Sequence, residues 1–248
     1  MPKEAVSPFY FSELESTNSY ALSRLKELPH HGLVIADAQT AGRGREQRRW
    51  VSEPGGNIYM SLVEKILPVG ARDILQNFTQ LMAVGVCQAC QYWGMEPRIK
   101  WPNDVLVRGK KIAGILCESR FSGSSVLGLV IGVGVNLVHA PVLDEGAKFP
   151  STCFSHWTDP VPSRQEVIEK ILSFYFGHYE AFLLNGFQAI YDVYVSFMGY
   201  TEGQLYLEHH DPEIAHRYAG LTKSGELVVE NPRGERIIVR SGEVQWKR

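Results

Sequence analysis

The chain has 248 residues, 44% of them hydrophobic, which is enough for one sizeable core or for a large domain with a small one attached. A formal net charge of -2 excludes a general basic field for nucleic acid, so contact with a polyanion would need a local cluster such as residues 43–49. No run of about 18 apolar residues and no signal-peptide pattern occurs, and we therefore expect a soluble, cytoplasmic protein that does not bind a membrane.

The first part of the chain alternates helical and strand patterns. Ser16, Thr17 and Asn18 offer helix-capping side chains ahead of apolar residues at helical spacing, which predicts a short amphipathic helix. Residues 33–36 and 57–63 predict strands on either side of an arginine-rich loop. Apolar residues recur at helical spacing from 73 to 93, which predicts a long core helix.

The second part of the chain ends in a different pattern of short apolar runs. Residues 98–119 predict two β-rich runs joined by a turn at 108–110, and residues 126–133 predict a buried strand. A capping-box pattern at 163–166 predicts a helix to about residue 184, and helical spacing continues in a second segment after Gly186. The short apolar runs after Gly199 predict a small β-barrel. We therefore expect an α/β (α+β) protein with domains at 1–198 and 199–248.

The cysteines do not form a recognisable metal or redox motif. Cys87 and Cys90 make a CxxC, but they lie within the predicted core helix and have no second pair. Buried, reduced thiols are the better interpretation. His209, His210 and Asp211 form a weaker candidate metal group in the small β module.

The arginine-rich loop favours an anionic ligand. Gly42 and Gly44 permit successive N–H groups to converge on an anion, and Arg43 and Arg45 add guanidinium groups suited to phosphate or carboxylate. The alternative is a solvated basic loop. A dinucleotide-binding GxGxxG is not matched, because Gln47 stands where the third glycine is required.

Three other segments are compatible with ligand binding, although each has a purely structural alternative. Lys100 is out of place in a β-like run unless its ammonium meets a negative group or lies at a strand end. The small residues Ala113 and Gly114 would let a ligand approach the backbone, or would pack a hairpin tightly. In the segment of residues 16–18, a helix cap and a polar ligand contact look alike.

Together these segments resemble the biotin protein ligases. The resemblance lies in six segments in one order: ESTN at 15–18, AxxQTAGRGR at 36–45 with Trp50, GGNIYMSL at 55–62, KWPND at 100–104, KIAGIL at 111–116 and IGVGVNL at 131–137. It implies a mixed-sheet catalytic domain of the biotin/lipoate ligase type followed by an SH3-like barrel.

The resemblance also implies a two-step reaction. Biotin and ATP, with Mg²⁺, give biotinyl-5′-AMP and pyrophosphate, and biotin then passes to one lysine of a biotin-carrier domain of acetyl-CoA carboxylase or a related carboxylase. Because both the carboxylate and the α-phosphate are anionic, cations in a water-poor site are needed to bring them together. The acceptor lysine supplies the nucleophile, so no nucleophilic side chain of the enzyme is required.

By resemblance, site residues can be assigned by role, whereas metal ligands cannot. The expected biotin contacts are Ser16, Thr17, Asn18, Gln39, Gly42, Arg43, Gly44, Arg45, Lys100, Ala113 and Gly114. The expected contacts on the ATP side are Arg43, Arg45, Trp50, Lys100, Asn103 and Asn136, of which Lys100, Arg43 and Arg45 are the expected catalytic residues.

Two departures from the family pattern bear on function. Glu46 and Gln47 stand where the family's loop often carries a further glycine and a basic residue, which leaves loop flexibility and retention of the intermediate as questions. Only 15 residues precede Ser16, too few for the helix-turn-helix of some members, so we expect a monofunctional ligase that does not bind DNA. A homodimer is left open, since family members differ.

The alternatives to a biotin protein ligase come from three classes. They are a lipoate-type ligase of the same fold, a non-catalytic biotin- or nucleotide-binding protein, and a nucleic-acid-binding protein. The last rests on the arginine cluster alone, and it would show a steeply salt-dependent affinity for DNA.

Overall fold

The computed structural model describes residues 6–65, 74–123, 125–142, 150–199, 204–207, 214–240, 242 and 244–247. The helices are α1 (Thr17–Ser23), α2 (Asn77–Tyr92), α3 (Arg164–Asn185) and α4 (Tyr191–Phe197). The strands are β1 (Ser7–Leu14), β2 (Gly32–Gln39), β3 (Ile58–Glu64), β4 (Pro97–Lys100), β5 (Asp104–Val107), β6 (Lys110–Ser122), β7 (Ser125–Val135), β8 (Gln204–Leu207), β9 (Arg217–Leu221), β10 (Leu227–Glu230), β11 (Arg236–Val239) and β12 (Val244–Lys247).

A seven-stranded mixed sheet forms the centre of the molecule. Its strand order is β1-β2-β3-β7-β6-β5-β4, with β1 and β2 parallel and the other neighbours antiparallel. The predicted mixed α/β fold is therefore confirmed. None of the described helices is long and apolar enough to cross a membrane.

Helices cover both faces of the sheet because the strands are apolar on both faces. On β2, Leu33 and Ile35 point into the main core with α2 and α3, whereas Val34 points into a smaller core with α1. This alternation follows from the two-residue period of a strand. The loops at one end of the strands, among them the loop that contains Arg45, are therefore attached to a sheet that is buried on both faces.

The predicted helix starts agree with the caps. The Ser16 side chain accepts a hydrogen bond from the backbone N–H of Ser19 at the start of α1, and Ser163 and Glu166 form a capping box at the start of α3. The described part of the long core helix begins at Asn77, whereas the pattern placed its start at residue 73, outside the described residues.

Two strand assignments differ from the sequence analysis. Strand β1 was missed, since its exposed edge position leaves only every second residue partly buried and the apolar pattern is weak. The first β-rich run is in fact two antiparallel strands, β4 and β5, because Trp101, Pro102 and Asn103 make a turn between them. Lys100 is consequently the last residue of a strand and lies next to this turn.

The predicted short strands after Gly199 are present, in two small sheets. One has the order β11-β10-β9, and the other pairs β12 with β8. A bridge between Leu205 and His216 connects β8 to the start of β9. The described strands of the two sheets do not close into a barrel. His209, His210 and Asp211 lie outside the described residues.

The C-terminal strands pack on the large domain. Their buried residues, such as Leu205 and Val229, belong to the same hydrophobic core as α2. Polar contacts reinforce this packing, since Gln80 donates to the carbonyl of Gly225 at 2.8 Å and the Trp101 indole donates to the same carbonyl at 3.0 Å. The division at residues 198 and 199 stays a prediction.

Candidate active site

A cavity of about 390 Å³ opens at one end of the sheet, between α1, the loop after β2 and strands β4 to β7. Most of the predicted site residues line it. They are Ser16, Thr17, Asn18, Gln39, Arg43, Gly44, Arg45, Trp50, Lys100, Asn103, Gly114 and Asn136. Side chains that are up to 120 residues apart in the chain are thus brought to one place by the sheet.

One wall of the cavity is formed by Thr17, Asn18 and Gln39, and Ser52 and Ser61 are hydrogen-bonded to these residues from behind; we call the five residues the amide wall. Gln39 accepts hydrogen bonds from the backbone N–H of Thr17 at 2.8 Å and from its hydroxyl at 3.2 Å, and it donates to the Ser52 hydroxyl at 2.7 Å. These side chains carry no formal charge. Their hydrogen bonds to one another hold them in fixed orientations.

Asn18 is the most constrained member of the amide wall. Its amide nitrogen donates to the carbonyl of Leu116 at 3.0 Å and to a carboxylate oxygen of Glu118 at 2.8 Å. Its amide oxygen accepts from the Ser61 hydroxyl at 2.6 Å. Asn18 is 3% exposed, so a ligand in the cavity meets an amide group that is already oriented.

A second wall is the arginine loop, which we define as residues 43–50. Arg43 forms an ion pair with Glu118 at 2.6 Å, and Arg45 donates to the side-chain oxygen of Asn103 at 3.2 Å. Within the loop, the N–H of Gly44 donates to the carbonyl of Arg48 at 2.7 Å. The loop therefore lies against the sheet, with its guanidinium groups at the cavity.

Glu46 has the backbone conformation that glycine favours. Its φ is 53° and its ψ is 40°, in the left-handed region, and its carboxylate lies 3.4 Å from Arg48. This conformation costs a residue with a side chain about 1–2 kcal/mol. Glu46 thus has, with a full side chain, a backbone conformation that is more favourable for glycine.

Glycines on β6 and β7 form the floor of the cavity. Gly114 pairs with Gly134, and the Trp50 indole lies on both of them, because a Cβ on Gly114 would be 2.9 Å from its Cζ3 and one on Gly134 would be 2.6 Å from its Cζ2. Gly132 faces Asn18 in the same way, with an added Cβ 2.8 Å from its Cγ. Larger residues would fill the space that these groups occupy.

The Trp50 indole also has an unused donor. Its Nε1 atom is buried and has no hydrogen-bond partner among the residues that the structure describes. A buried N–H without a partner is unfavourable, and an acceptor on a ligand would satisfy it. This fits the expectation that Trp50 contacts a ligand.

Two lysines bring positive charge into the cavity. Lys100, at the end of β4, is 4% exposed and was expected from the sequence. Lys111, at the start of β6, was not singled out, yet it lines the cavity, forms an ion pair with Asp104 at 2.7 Å and lies 5.1 Å from the centre of the Trp50 ring. Its position in KIAGIL, beside the predicted small residues, was the signal in the sequence.

Two expected contacts do not line the cavity. Ala113 is fully buried in the main core, since it points to the other side of β6 from Gly114. Gly42 is buried under the loop, where an added Cβ would be 2.6 Å from the Ser52 hydroxyl and in collision with the carbonyl of Trp50. Both residues shape the site from behind instead of lining it.

Asn136 reaches the cavity and also holds a neighbouring loop. The side-chain amide nitrogen of Asn136 donates to the carbonyl of Thr152 at 3.0 Å, and its backbone N–H donates to the carbonyl of Ile112 at 2.8 Å. Asn136 therefore attaches the loop at Thr152 to β6.

Of the residues important to the geometry, Ser52, Ser61, Asp104, Lys111 and Glu118 were not expected as site residues. Ser61, Asp104 and Lys111 lie in the recognised motifs, whereas the roles of Ser52 and Glu118 depend on side-chain directions that no motif encodes.

The cysteines are free, as expected. Burial raises the pKa of the Cys90 and Cys117 thiols to about 12, and burial also raises that of Cys87. Thiolates are therefore scarce at neutral pH, and these side chains are not nucleophiles.

A separate polar cluster lies at the far end of β2 and β3. The buried carboxylate of Glu64 accepts hydrogen bonds from the hydroxyls of Tyr175 and Tyr179, both at 2.7 Å, and lies 3.3 Å from the His31 ring. His30 Nδ1 accepts from the backbone N–H of Lys65 at 3.1 Å. These hydrogen bonds engage both carboxylate oxygens of Glu64 and Nδ1 of His30, and they join α3 to the ends of β2 and β3.

Comparison with known proteins identifies the class. The model of the biotin/lipoate A/B protein ligase family matches residues 10–136, about half of the chain, and the chain belongs to this family. The matched region contains most residues that line the cavity, from Ser16 to Asn136.

Individual relatives show which members of the family the chain is similar to. The chain is 32% identical over 234 residues to the biotin–[acetyl-CoA-carboxylase] ligase of Paracoccus denitrificans. The alignment covers 90% of this chain and 94% of the relative. The chain is also 36% identical to the bifunctional ligase/repressor BirA of Bacillus subtilis over an alignment of 164 residues. That alignment covers 65% of this chain, and the chain spans about half the length of that relative. The biotin protein ligase from Aquifex aeolicus in complex with biotin and ATP superimposes with a TM-score of 0.79, at 26% identity, over 98% of this chain and 99% of that one.

Proposed function

We propose that the protein is a biotin protein ligase that makes biotinyl-5′-AMP from biotin and ATP and transfers biotin to a lysine of a carrier domain. One observation carries the proposal: a single cavity is lined both by uncharged hydrogen-bonding groups of the amide wall and by six cationic side chains, Arg43, Arg45, Arg48, Arg49, Lys100 and Lys111. This division suits a ligand with a neutral polar ring and a carboxylate, together with a nucleotide. The ligases of P. denitrificans and A. aeolicus support the assignment.

The amide wall is the proposed site of the ureido ring of biotin. The ring has two N–H donors and one carbonyl acceptor, and the hydroxyl and amide groups of residues 16–18 and Gln39 can meet both kinds of group. Because the amide wall has no charged member, it offers no positive charge to a phosphate. Biotin is therefore expected to lie with its carboxylate towards the arginine loop.

The cations are proposed to bring two anions together. The biotin carboxylate attacks the α-phosphorus of ATP, the bond to the β-phosphate breaks, and pyrophosphate leaves. Lys100 and Lys111 stabilise the charge on the carboxylate and the α-phosphate, and Arg43 and Arg45 hold the phosphates. Trp50 and Asn103 contribute to the nucleotide side, and Asn136 supports the wall behind Lys111.

Transfer of biotin needs no nucleophile from the enzyme. The adenylate is a mixed anhydride, so the amine of the acceptor lysine attacks its acyl carbon, AMP leaves with the bonding electrons, and the amine loses a proton as the amide forms. The scarcity of thiolate at Cys90 and Cys117, whose pKa values burial raises to about 12, agrees with this route.

Mg²⁺ is proposed to accompany ATP. Among the described residues that line the cavity, Asp104 is the one carboxylate, and it is paired with Lys111. Mg²⁺ commonly keeps several waters and binds through phosphates and one or two carboxylates, so this donor set fits an ion held mostly by the substrate. When bound, the ion would neutralise charge on the phosphates.

The remaining parts of the assignment are proposals of the same kind. The carrier domain would be that of acetyl-CoA carboxylase or a related carboxylase, and the protein would act in the cytoplasm. Strands β8 to β12 are proposed to close as an SH3-like barrel, since the bridge at Leu205 and His216 already joins the two small sheets. A homodimer stays a prediction.

The test is a pair of assays on the purified chain. Pyrophosphate release should require both biotin and ATP, and label from biotin should appear on an apo biotin-carrier domain. Labelling by lipoate in place of biotin would favour the lipoate-type ligase. Biotin binding without pyrophosphate release would favour a binding protein, and tight, salt-dependent DNA binding with neither reaction would contradict the proposal.

A further inference from the structure

We infer that Glu118 is a positioning residue that fastens the arginine loop to the sheet and links it to the amide wall. Glu118 lies on β6, and its side chain does not line the cavity. It is therefore not placed to touch a ligand directly. Its effect on chemistry would pass through Arg43.

A single carboxylate oxygen makes the link. Oε2 of Glu118 accepts from the amide nitrogen of Asn18 at 2.8 Å and from a terminal guanidinium nitrogen of Arg43 at 2.6 Å. Asn18 belongs to the amide wall and Arg43 to the arginine loop. The two sides of the cavity thus share one atom of Glu118.

The carboxylate is anchored more firmly than the arginine. Asn18 is itself held by the carbonyl of Leu116 and the hydroxyl of Ser61, and Glu118 stands on a central strand of the sheet. Arg43 is in a loop, and its side chain is 41% exposed against 26% for Glu118. Glu118 therefore determines where the guanidinium lies, and not the reverse.

The pair leaves Arg43 able to bind an anion. A guanidinium has five N–H donors, and the contact with Glu118 occupies one of its nitrogens. The other donors remain for a carboxylate or phosphate in the cavity that Arg43 lines. This consequence rests on the proposed function, in which those groups come from biotin and ATP.

Trypsin provides a test that needs no ligand, because the arginine loop contains four arginines. Glu118→Gln keeps an oxygen for Asn18 but removes the charge that holds Arg43, and we expect native-state cleavage of the loop after Arg48 or Arg49 to become about fivefold faster. Glu27→Gln is the matched control, since it removes an exposed carboxylate paired with Arg24, the residue that follows α1. It should leave loop cleavage unchanged.

A double-mutant cycle separates this link from a general loss of stability. Arg43→Ala breaks the same pair without touching Asn18, so it should speed cleavage after Arg48 or Arg49 to the same extent, and adding Glu118→Gln should then have no further effect. If Glu118→Gln lowers the melting temperature, the Arg43→Ala variant still tests whether the ion pair restrains the arginine loop. Wild-type cleavage in both single variants, or effects that add in the double variant, would overturn the inference.

The functional arm compares two ligands. In Glu118→Gln, biotin alone should bind within about threefold of the wild-type affinity, whereas biotinyl-AMP should dissociate about fivefold faster. An unchanged dissociation rate, or an equal loss for both ligands, would contradict positioning through Arg43. If the wild-type protein released no pyrophosphate from biotin and ATP, the proposed function would fail, while the trypsin cycle would still decide the role of Glu118.

Discussion

The two sides of the cavity hold their side chains by different means. The amide wall is a buried network of uncharged groups, in which Asn18 and Ser61 are 3% and 0% exposed. The arginine loop is held by partly exposed charged groups, and its Arg43 and Glu118 side chains are 41% and 26% exposed. The first side is part of the core of the molecule, and the second is attached to its surface.

This difference indicates a division of labour. A buried network resists change because each unmade hydrogen bond costs about 1–3 kcal/mol, so the amide wall is suited to recognise one fixed shape. Exposed ion pairs contribute about 1 kcal/mol or less, so the loop can exchange its partners for those of a ligand. Variants on the two sides should therefore separate stability from catalysis.

The largest expected effect is a loss of adenylation rate when either cavity lysine is replaced. Lys100→Ala and Lys111→Ala should each lower the rate of adenylate formation by about 10²–10³ while the fold remains cooperative, because each removes a cation from the reacting groups. Pyrophosphate release and thermal unfolding would measure the two properties. Lys110→Ala, an exposed neighbour, is the control, and near-normal adenylation in either of the first two variants would show that its role is misassigned.

The next effect compares two glycines on the same face of β7, one of which lies against Asn18 and the other against Trp50. Gly132→Ala would push against the fixed Asn18 and should lower the free energy of unfolding by about 1–3 kcal/mol. Gly134→Ala would push against Trp50, which lies in a loop and not in the hydrogen-bonded amide wall, and should lower nucleotide affinity with a smaller loss of stability. Denaturant titration and calorimetry with ATP would test this, and equal losses of stability would remove the proposed contrast.

A smaller effect is expected from the loop itself. Arg45→Ala removes a guanidinium from the cavity and its hydrogen bond to Asn103, and should increase the dissociation rate of biotinyl-AMP by about tenfold. Stability should change little, since the loop lies outside the core. An unchanged dissociation rate in a stopped-flow experiment would argue against the loop assignment.

The smallest effect is expected from thiol modification. Because burial raises the pKa of Cys90 and Cys117 to about 12, iodoacetamide at pH 7 should leave both residues unmodified and activity unchanged. Reactivity should appear only when the protein unfolds, which exposes the thiols and returns their pKa values to the ordinary range. Mass spectrometry of native and denatured samples would check this, and rapid alkylation of native Cys117 would contradict it.

The sequence predicted the local structure well where a pattern was strong. Caps at Ser16 and Ser163, the core helix α2 and the short C-terminal strands were all expected. Strand β1 was missed because an edge strand buries little, and the turn between β4 and β5 was read as an interruption of one strand. In both cases the partner strand, and not the local residues, decides the structure.

The sequence by itself determined the family, and 12 of its 14 expected contacts line the cavity, because short motifs keep their order and spacing. Only the tertiary structure decided which atoms meet: it paired Asp104 with Lys111 and Arg43 with Glu118, and it turned Ala113 away from the cavity that Gly114 lines. The physical reason is that adjacent residues of a strand face opposite sides, while residues 75 positions apart become neighbours through the order of strands in the sheet. Motifs name the chemical groups of a site, and the sheet decides which of them act together.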